Sequence, residues 1–168
     1  MPVNPIVQEV WNARFSGYAA LAALLLSQAM SPLRRLGLVS ALTHLRWRRR
    51  WGILAALLAS VHGLLQWLTY LRGGLRDSAR ETLWLQFGLV SWALLLALWL
   101  TSYPKLVRWL RVRHWRELHW LAYVATWWAG LHVLLAPWSD PRLGLVILMF
   151  TVLLQFLRWI KFPPILKR

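Results

Sequence analysis

Five histidines, at positions 44, 62, 114, 119 and 132, are the side chains best suited to chemistry in this 168-residue chain. Imidazole ligates metals through either ring nitrogen and changes charge near neutral pH. His62 and His132 each sit within a long apolar run, where an ionisable group marks a candidate functional site. There is no Cys, which excludes disulfides, thiolate metal sites, iron–sulfur clusters and covalent attachment of a c-type heme. No P-loop, GxGxxG, HExxH or GxSxG sequence is present. Ionisable groups inside apolar runs are therefore the chemical leads.

Depth along the runs sorts the histidines. Counting from the last arginine before each run, His62 follows Arg50 by 12 residues, His119 follows Arg116 by 3, and His132 follows Arg116 by 16. At about 1.5 Å per helical residue, His62 and His132 differ in depth by roughly 6 Å, and His62 and His119 by about 14 Å. His62 and His132 are the plausible cross-helix pair. Ala59 and Ala55 precede His62 by the same three- and seven-residue steps by which Ala129 and Ala125 precede His132. Such steps share a helix face, so each histidine stands over a shallow strip where a flat ring could lie. His119 and His132 point about 140° apart on an ideal helix and are not expected to serve one ring.

Two neutral imidazoles facing each other across two helices suit axial ligation of heme iron, with the apolar macrocycle buried beside them. A zinc or copper site would want a third ligand close by, and none is evident. The plain alternative is that the histidines hydrogen-bond between helices while the alanines allow close packing. His44 and His114 fall between arginines and read as solvated loop residues.

The elements that must position these side chains are membrane helices. The chain is 59% hydrophobic, with a mean hydropathy of +0.47, too apolar for a soluble domain of this size. Five spans are expected, at about 15–30, 51–71, 83–101, 117–136 and 143–160, each close to the roughly 20 residues that cross a bilayer. Ser31-Pro32, Gly73-Gly74, Tyr103-Pro104 and Pro137 to Pro141 mark the breaks, and Pro163-Pro164 the end of the last span. The expected fold is a single-domain, all-α polytopic helical bundle over residues 1–168. Residues 1–14 lack the basic region of a cleaved signal peptide, so the first apolar run is expected to be retained.

Charge sets the orientation. Six basic residues lie at 34–50, five at 105–116 and four at 158–168, together 15 of the 20 Lys and Arg. These three sets fall on one face of the bundle and contain no acid. An N-out, C-in topology follows from this bias. The net charge of +15 and the sequence pI near 11.9 thus reflect membrane orientation and not nucleic-acid binding. Of the 14 Trp, Trp47, Trp51, Trp109, Trp115, Trp138 and Trp159 lie near span ends, where aromatic belts sit. Trp92 and Trp99, inside a span, fit either lipid contact or contact with a flat cofactor.

Several segments resemble the YedZ/MsrQ family of heme-binding membrane subunits, within the ferric reductase-like transmembrane group. They are Ser31-Pro32-Leu33, Arg49-Arg50-Trp51-Gly52-Ile53 leading to His62, Leu100-Thr101-Ser102, and Trp115-Arg116-Glu117-Leu118-His119 with Tyr123 and His132. The resemblance runs from about Val10 to Lys161. It implies that His62, His119 and His132 ligate heme b, one or two per chain, with FMN as a further candidate cofactor. It also implies electron transfer from the cytoplasmic side of a bacterial inner membrane to a periplasmic molybdenum-containing reductase that repairs methionine sulfoxide. Such a chain is a subunit of an oxidoreductase and does not act on substrate alone.

Two departures stand out. The family usually has six helices, and this chain appears as five. Related oxidases also carry a second histidine about 14 residues before the His62 position, where this chain has Arg48. The eight residues after Ile160 are too few for a flavin or nicotinamide domain, so a cytoplasmic flavin reductase or a quinol is the expected donor. A non-redox membrane scaffold is the competing reading. A transporter fits less well, lacking acids deep in the spans and interrupted helix pairs.

Overall fold

The structure, a computed structural model, describes residues 5–73, 79–137 and 139–160, with the side chains of 13–68, 83–110, 114–115, 117–137, 139–158 and 160. Among these residues seven helices follow in order: α1 (Pro5–Arg35), α2 (Ala41–Gly73), α3 (Ala79–Thr101), α4 (Pro104–Trp109), α5 (Arg111–Leu118), α6 (Leu121–Leu135) and α7 (Pro141–Trp159). Three have stretches long and apolar enough to cross a membrane, Ala41–Leu68, Leu83–Thr101 and Pro141–Arg158, and Leu121–Leu135 is a shorter apolar helix. At 31 residues, α1 is about 46 Å long at 1.5 Å per residue. Its buried stripe includes the polar residues Ser16, Ser27 and Gln28. The chain is an all-α membrane helical bundle, and α1, α2, α3, α6 and α7 overlap the five segments expected to span.

Side-chain distribution follows from lipid as solvent. Phe15, Met149 and Phe156 are more than half exposed, as suits lipid-facing positions. The interior holds small and polar groups, since helices in lipid associate through close packing and hydrogen bonds. Ala23 and Leu24 of α1, Ala55 and Ala56 of α2, Leu95 of α3 and Ala125 of α6 form one core cluster. Around it, α1 packs along α2, α3 along α6, and α7 against α6 and α1. Gly130 and Gly144 let α6 and α7 approach closely; a Cβ at Gly144 would lie 2.6 Å from the Leu134 backbone.

The helix ends depart from expectation in three places. The break expected at Ser31-Pro32 falls later, because Pro32 lies inside α1 and its carbonyl accepts from Leu36 N at 2.9 Å. Termination waits for Gly37, at φ +74°. Gly37 N bonds Arg34 O at 3.1 Å and Leu38 N bonds Leu33 O at 3.0 Å, the paired closure of a Schellman motif. Secondly, the basic stretch 102–116 is mostly helix, with Pro104 at the start of α4, where its missing N–H costs nothing.

Thirdly, the span expected from Glu117 begins only at Leu121. Trp120 N bonds Glu117 O at 3.1 Å and Tyr123 N bonds Trp120 O at 3.0 Å, so tight i→i−3 bonds interrupt the helix. Elsewhere the punctuation holds: α7 starts with Pro141, and its N-cap Asp140 accepts from Arg142 N at 2.9 Å. Pro163-Pro164, Trp138 and Gly74 lie outside the described residues.

Candidate functional site

His62 on α2 and His132 on α6 meet inside the bundle, their ring centroids 6.1 Å apart and their planes inclined by 77°. His119 is not with them. It caps α5 beside the basic end of the bundle, its ring 4.2 Å from that of Trp115.

The paired histidines are held in matching ways. His62 Nδ1 lies 2.7 Å from the carbonyl oxygen of Ala13 on α1. His132 Nδ1 lies 2.7 Å from the carbonyl oxygen of Trp84 on α3. A carbonyl can only accept, so each Nδ1 carries the proton and donates it. In a neutral ring that leaves Nε2 as a lone-pair donor turned away from the supporting helix, the arrangement that fixes metal-binding imidazoles. Four residues beyond each carbonyl comes a glycine, Gly17 and Gly88. A Cβ there would stand 2.9 Å from His62 Nδ1 and 2.8 Å from His132 Nδ1. The outer helices α1 and α3 thus present the same device, a carbonyl to bond the ring and a bare Cα to admit it. Trp84 adds its own ring, 5.3 Å from that of His132.

Two imidazoles bound through nitrogen to one metal ion, each at about 2 Å, have ring centres about 5–6 Å apart, depending on the angle at the ion. The 6.1 Å separation matches that arrangement. Among the described residues, no group of three or more His, Cys, Asp or Glu gathers as a metal site. A two-histidine set suits an ion whose remaining ligands come from its own macrocycle, as in heme, and the donor set fits that group. The alanine strips are another matter. Ala55 and Ala125 are fully buried in the core cluster, with Ala59 packed against it. Ala55 and Ala125 thus serve helix packing.

Other expected residues fall as follows. His119 Nε2 is buried without a hydrogen-bond partner among the described residues, with Arg48 within electrostatic reach. His44, expected to be solvated, is only 6% exposed. The extension of α2 back to Ala41 carries it under α1, where Nε2 is 3.4 Å from Ser31 Oγ. His114 is exposed on α5, as expected for a solvated residue. Trp92 lies at the surface and donates from Nε1 to Ser60 Oγ at 3.0 Å, tying α3 to α2. Trp99 packs against the core cluster.

Sequence reasoning passed over Ala13, Gly17, Trp84 and Gly88, whose only signal is a four-residue step ending in glycine. It also passed over Gln28, a buried polar residue that donates to Ala122 O at 3.1 Å and to Thr126 Oγ1, joining α1 to α6.

The family described as ferric reductase like transmembrane component matches residues 16–130. The chain belongs to that family. The match takes in His62 and His119 and stops two residues before His132. No curated protein matches the chain, and no solved structure does. Membership in this family indicates a membrane electron-transfer role.

Proposed function

We propose that the chain is the heme b-carrying membrane subunit of an oxidoreductase, in which His62 and His132 would hold the heme iron. The observation that carries this reading is the matched support of the two rings: equal Nδ1–carbonyl bonds at 2.7 Å and centroids 6.1 Å apart. Heme, when bound, supplies a one-electron carrier in the bundle interior. The chain's part is to keep both rings neutral and oriented, and to exclude water with the apolar side chains around them. The extended proposal follows the YedZ/MsrQ resemblance: electrons enter at the basic, cytoplasmic face of a bacterial inner membrane, from a flavin reductase or quinol. They leave to a periplasmic molybdenum-containing reductase that repairs methionine sulfoxide. His119 would serve a second heme or an FMN at the basic end of the bundle, where Arg48 is its charged neighbour.

The purified chain should show a reduced-minus-oxidised visible spectrum with b-type bands, at one heme per chain. His62→Ala and His132→Ala should each abolish the bands, and His119→Ala should retain them. A folded protein without heme absorbance defeats the whole proposal. Heme that is reduced normally, yet is not reoxidised by a periplasmic molybdenum-containing reductase with methionine sulfoxide, defeats only the partner assignment.

A further inference from the structure

At the basic end of the bundle, three helix ends border an open cleft of about 330 Å³ lined by Ser31, Arg34, Arg35, His44 and Arg158. Among the described residues its lining has three guanidinium groups and an imidazole, and no carboxylate. We propose that this cleft binds the phosphate headgroup of an anionic membrane lipid.

The groups are set in place by the fold. Arg158 lies on the inward stripe of α7, one turn beyond buried Leu154 and two beyond buried Thr151. Its guanidinium stands over the rings of Trp120, at 4.8 Å, and Tyr123, at 5.2 Å, contacts that orient it and partly offset its desolvation. Arg35 Nη1 reaches the carbonyl of Ile160 at 3.4 Å, holding the end of α1 against the end of α7. Ser31 Oγ accepts from Arg48 Nη1 at 3.1 Å, so a fourth guanidinium backs the cleft. His44 is more than nine-tenths buried, and its Nδ1 has no hydrogen-bond partner among the described residues.

Like charges gathered in one cleft repel each other, and an anion relieves that repulsion. Arginine forks match phosphate oxygens in geometry as well as charge. The volume lies near the lower end of the range for small-ligand pockets, about 300–1,000 Å³, more than one phosphate group needs.

Position selects the lipid as the source. The cleft sits where helices emerge on the positively charged face, the level of anionic headgroups, and basic pockets between helix ends at that level bind such lipids.

The test uses the full purified chain in detergent, with thermal midpoint as readout. Phosphatidylglycerol should raise the midpoint, while phosphatidylcholine or inorganic phosphate at the same concentration should not. Each arginine neutralised should weaken the apparent affinity about fivefold, so Arg34→Gln with Arg35→Gln should lose roughly 25-fold. Both side chains are exposed, and the variant is read only if it elutes as the parent does. Arg34→Lys with Arg35→Lys keeps the charge and should stay within about fivefold of the parent. Arg49→Gln with Arg50→Gln removes equal charge from outside the cleft and should change little. Equal loss in that control, or an equal shift with inorganic phosphate, overturns the proposal.

Discussion

A methyl group added at Gly17 would stand 2.9 Å from His62 Nδ1, closer than side-chain carbons settle, so the ring must give way. Gly17→Ala should therefore break the bond to Ala13 O and destabilise the protein by roughly 1–3 kcal/mol, the usual cost of overpacking. Gly88→Ala should do the same to His132. Gly63 neighbours His62 in sequence, and a Cβ there meets nothing within 4 Å. Gly63→Ala should thus be neutral or stabilising by up to about 1 kcal/mol. Thermal midpoints and b-band amplitude of the three variants would separate these outcomes; a Gly17→Ala protein identical to its parent would falsify the supporting role of the glycine. At this scale the sequence was partly legible. Counting depth from the last arginines selected His62 and His132 as partners. The carbonyls that hold them were not legible, because which backbone oxygen faces a ring depends on how neighbouring helices are rotated.

Hydropathy located the long helices because lipid demands a continuous apolar length, and Pro104 and Pro141 mark helix starts in sequence and structure alike. The interruption at His119–Trp120 had no Gly or Pro to announce it, and the end of α1 passed over a proline to reach a glycine. His44 was misread for a related reason: arginines suggested a solvated loop, whereas α1 and α2 both continue past the apolar stretch and pack there. Two substitutions test these elements. Gly37 has open space around it but a positive φ, so Gly37→Ala should cost about 1–2 kcal/mol through backbone strain alone. At Gly144 the obstacle is the Leu134 backbone, and Gly144→Ala should push α7 away from α6. Denaturation midpoints would show both losses, and only Gly144→Ala should also disturb the b-bands, since His132 lies on α6.

For the molecule as a whole, the charge sets predict that α4 and α5 face the cytoplasm and the α6–α7 turn faces outward. The absence of Cys makes this directly measurable. A single cysteine at exposed Trp109 (Trp109→Cys) should react with a membrane-impermeant thiol reagent only in inside-out vesicles. Ser139→Cys should react only from the outside of intact cells, and the reverse pattern would refute the N-out topology. Orientation also decides which side supplies electrons and which side uses them.

The two acceptors that fix the histidines are main-chain atoms, and Ala13 is already the residue to which scanning mutagenesis would change it. A side-chain scan would therefore pass over half of this arrangement. What preserves it is helix phase: one residue inserted between Ala13 and Gly17 turns the preceding segment of α1 by about 100° and carries the carbonyl off the ring. Insertions and deletions in α1 and α3, harmless by composition, should be far less tolerated than substitutions at the same positions.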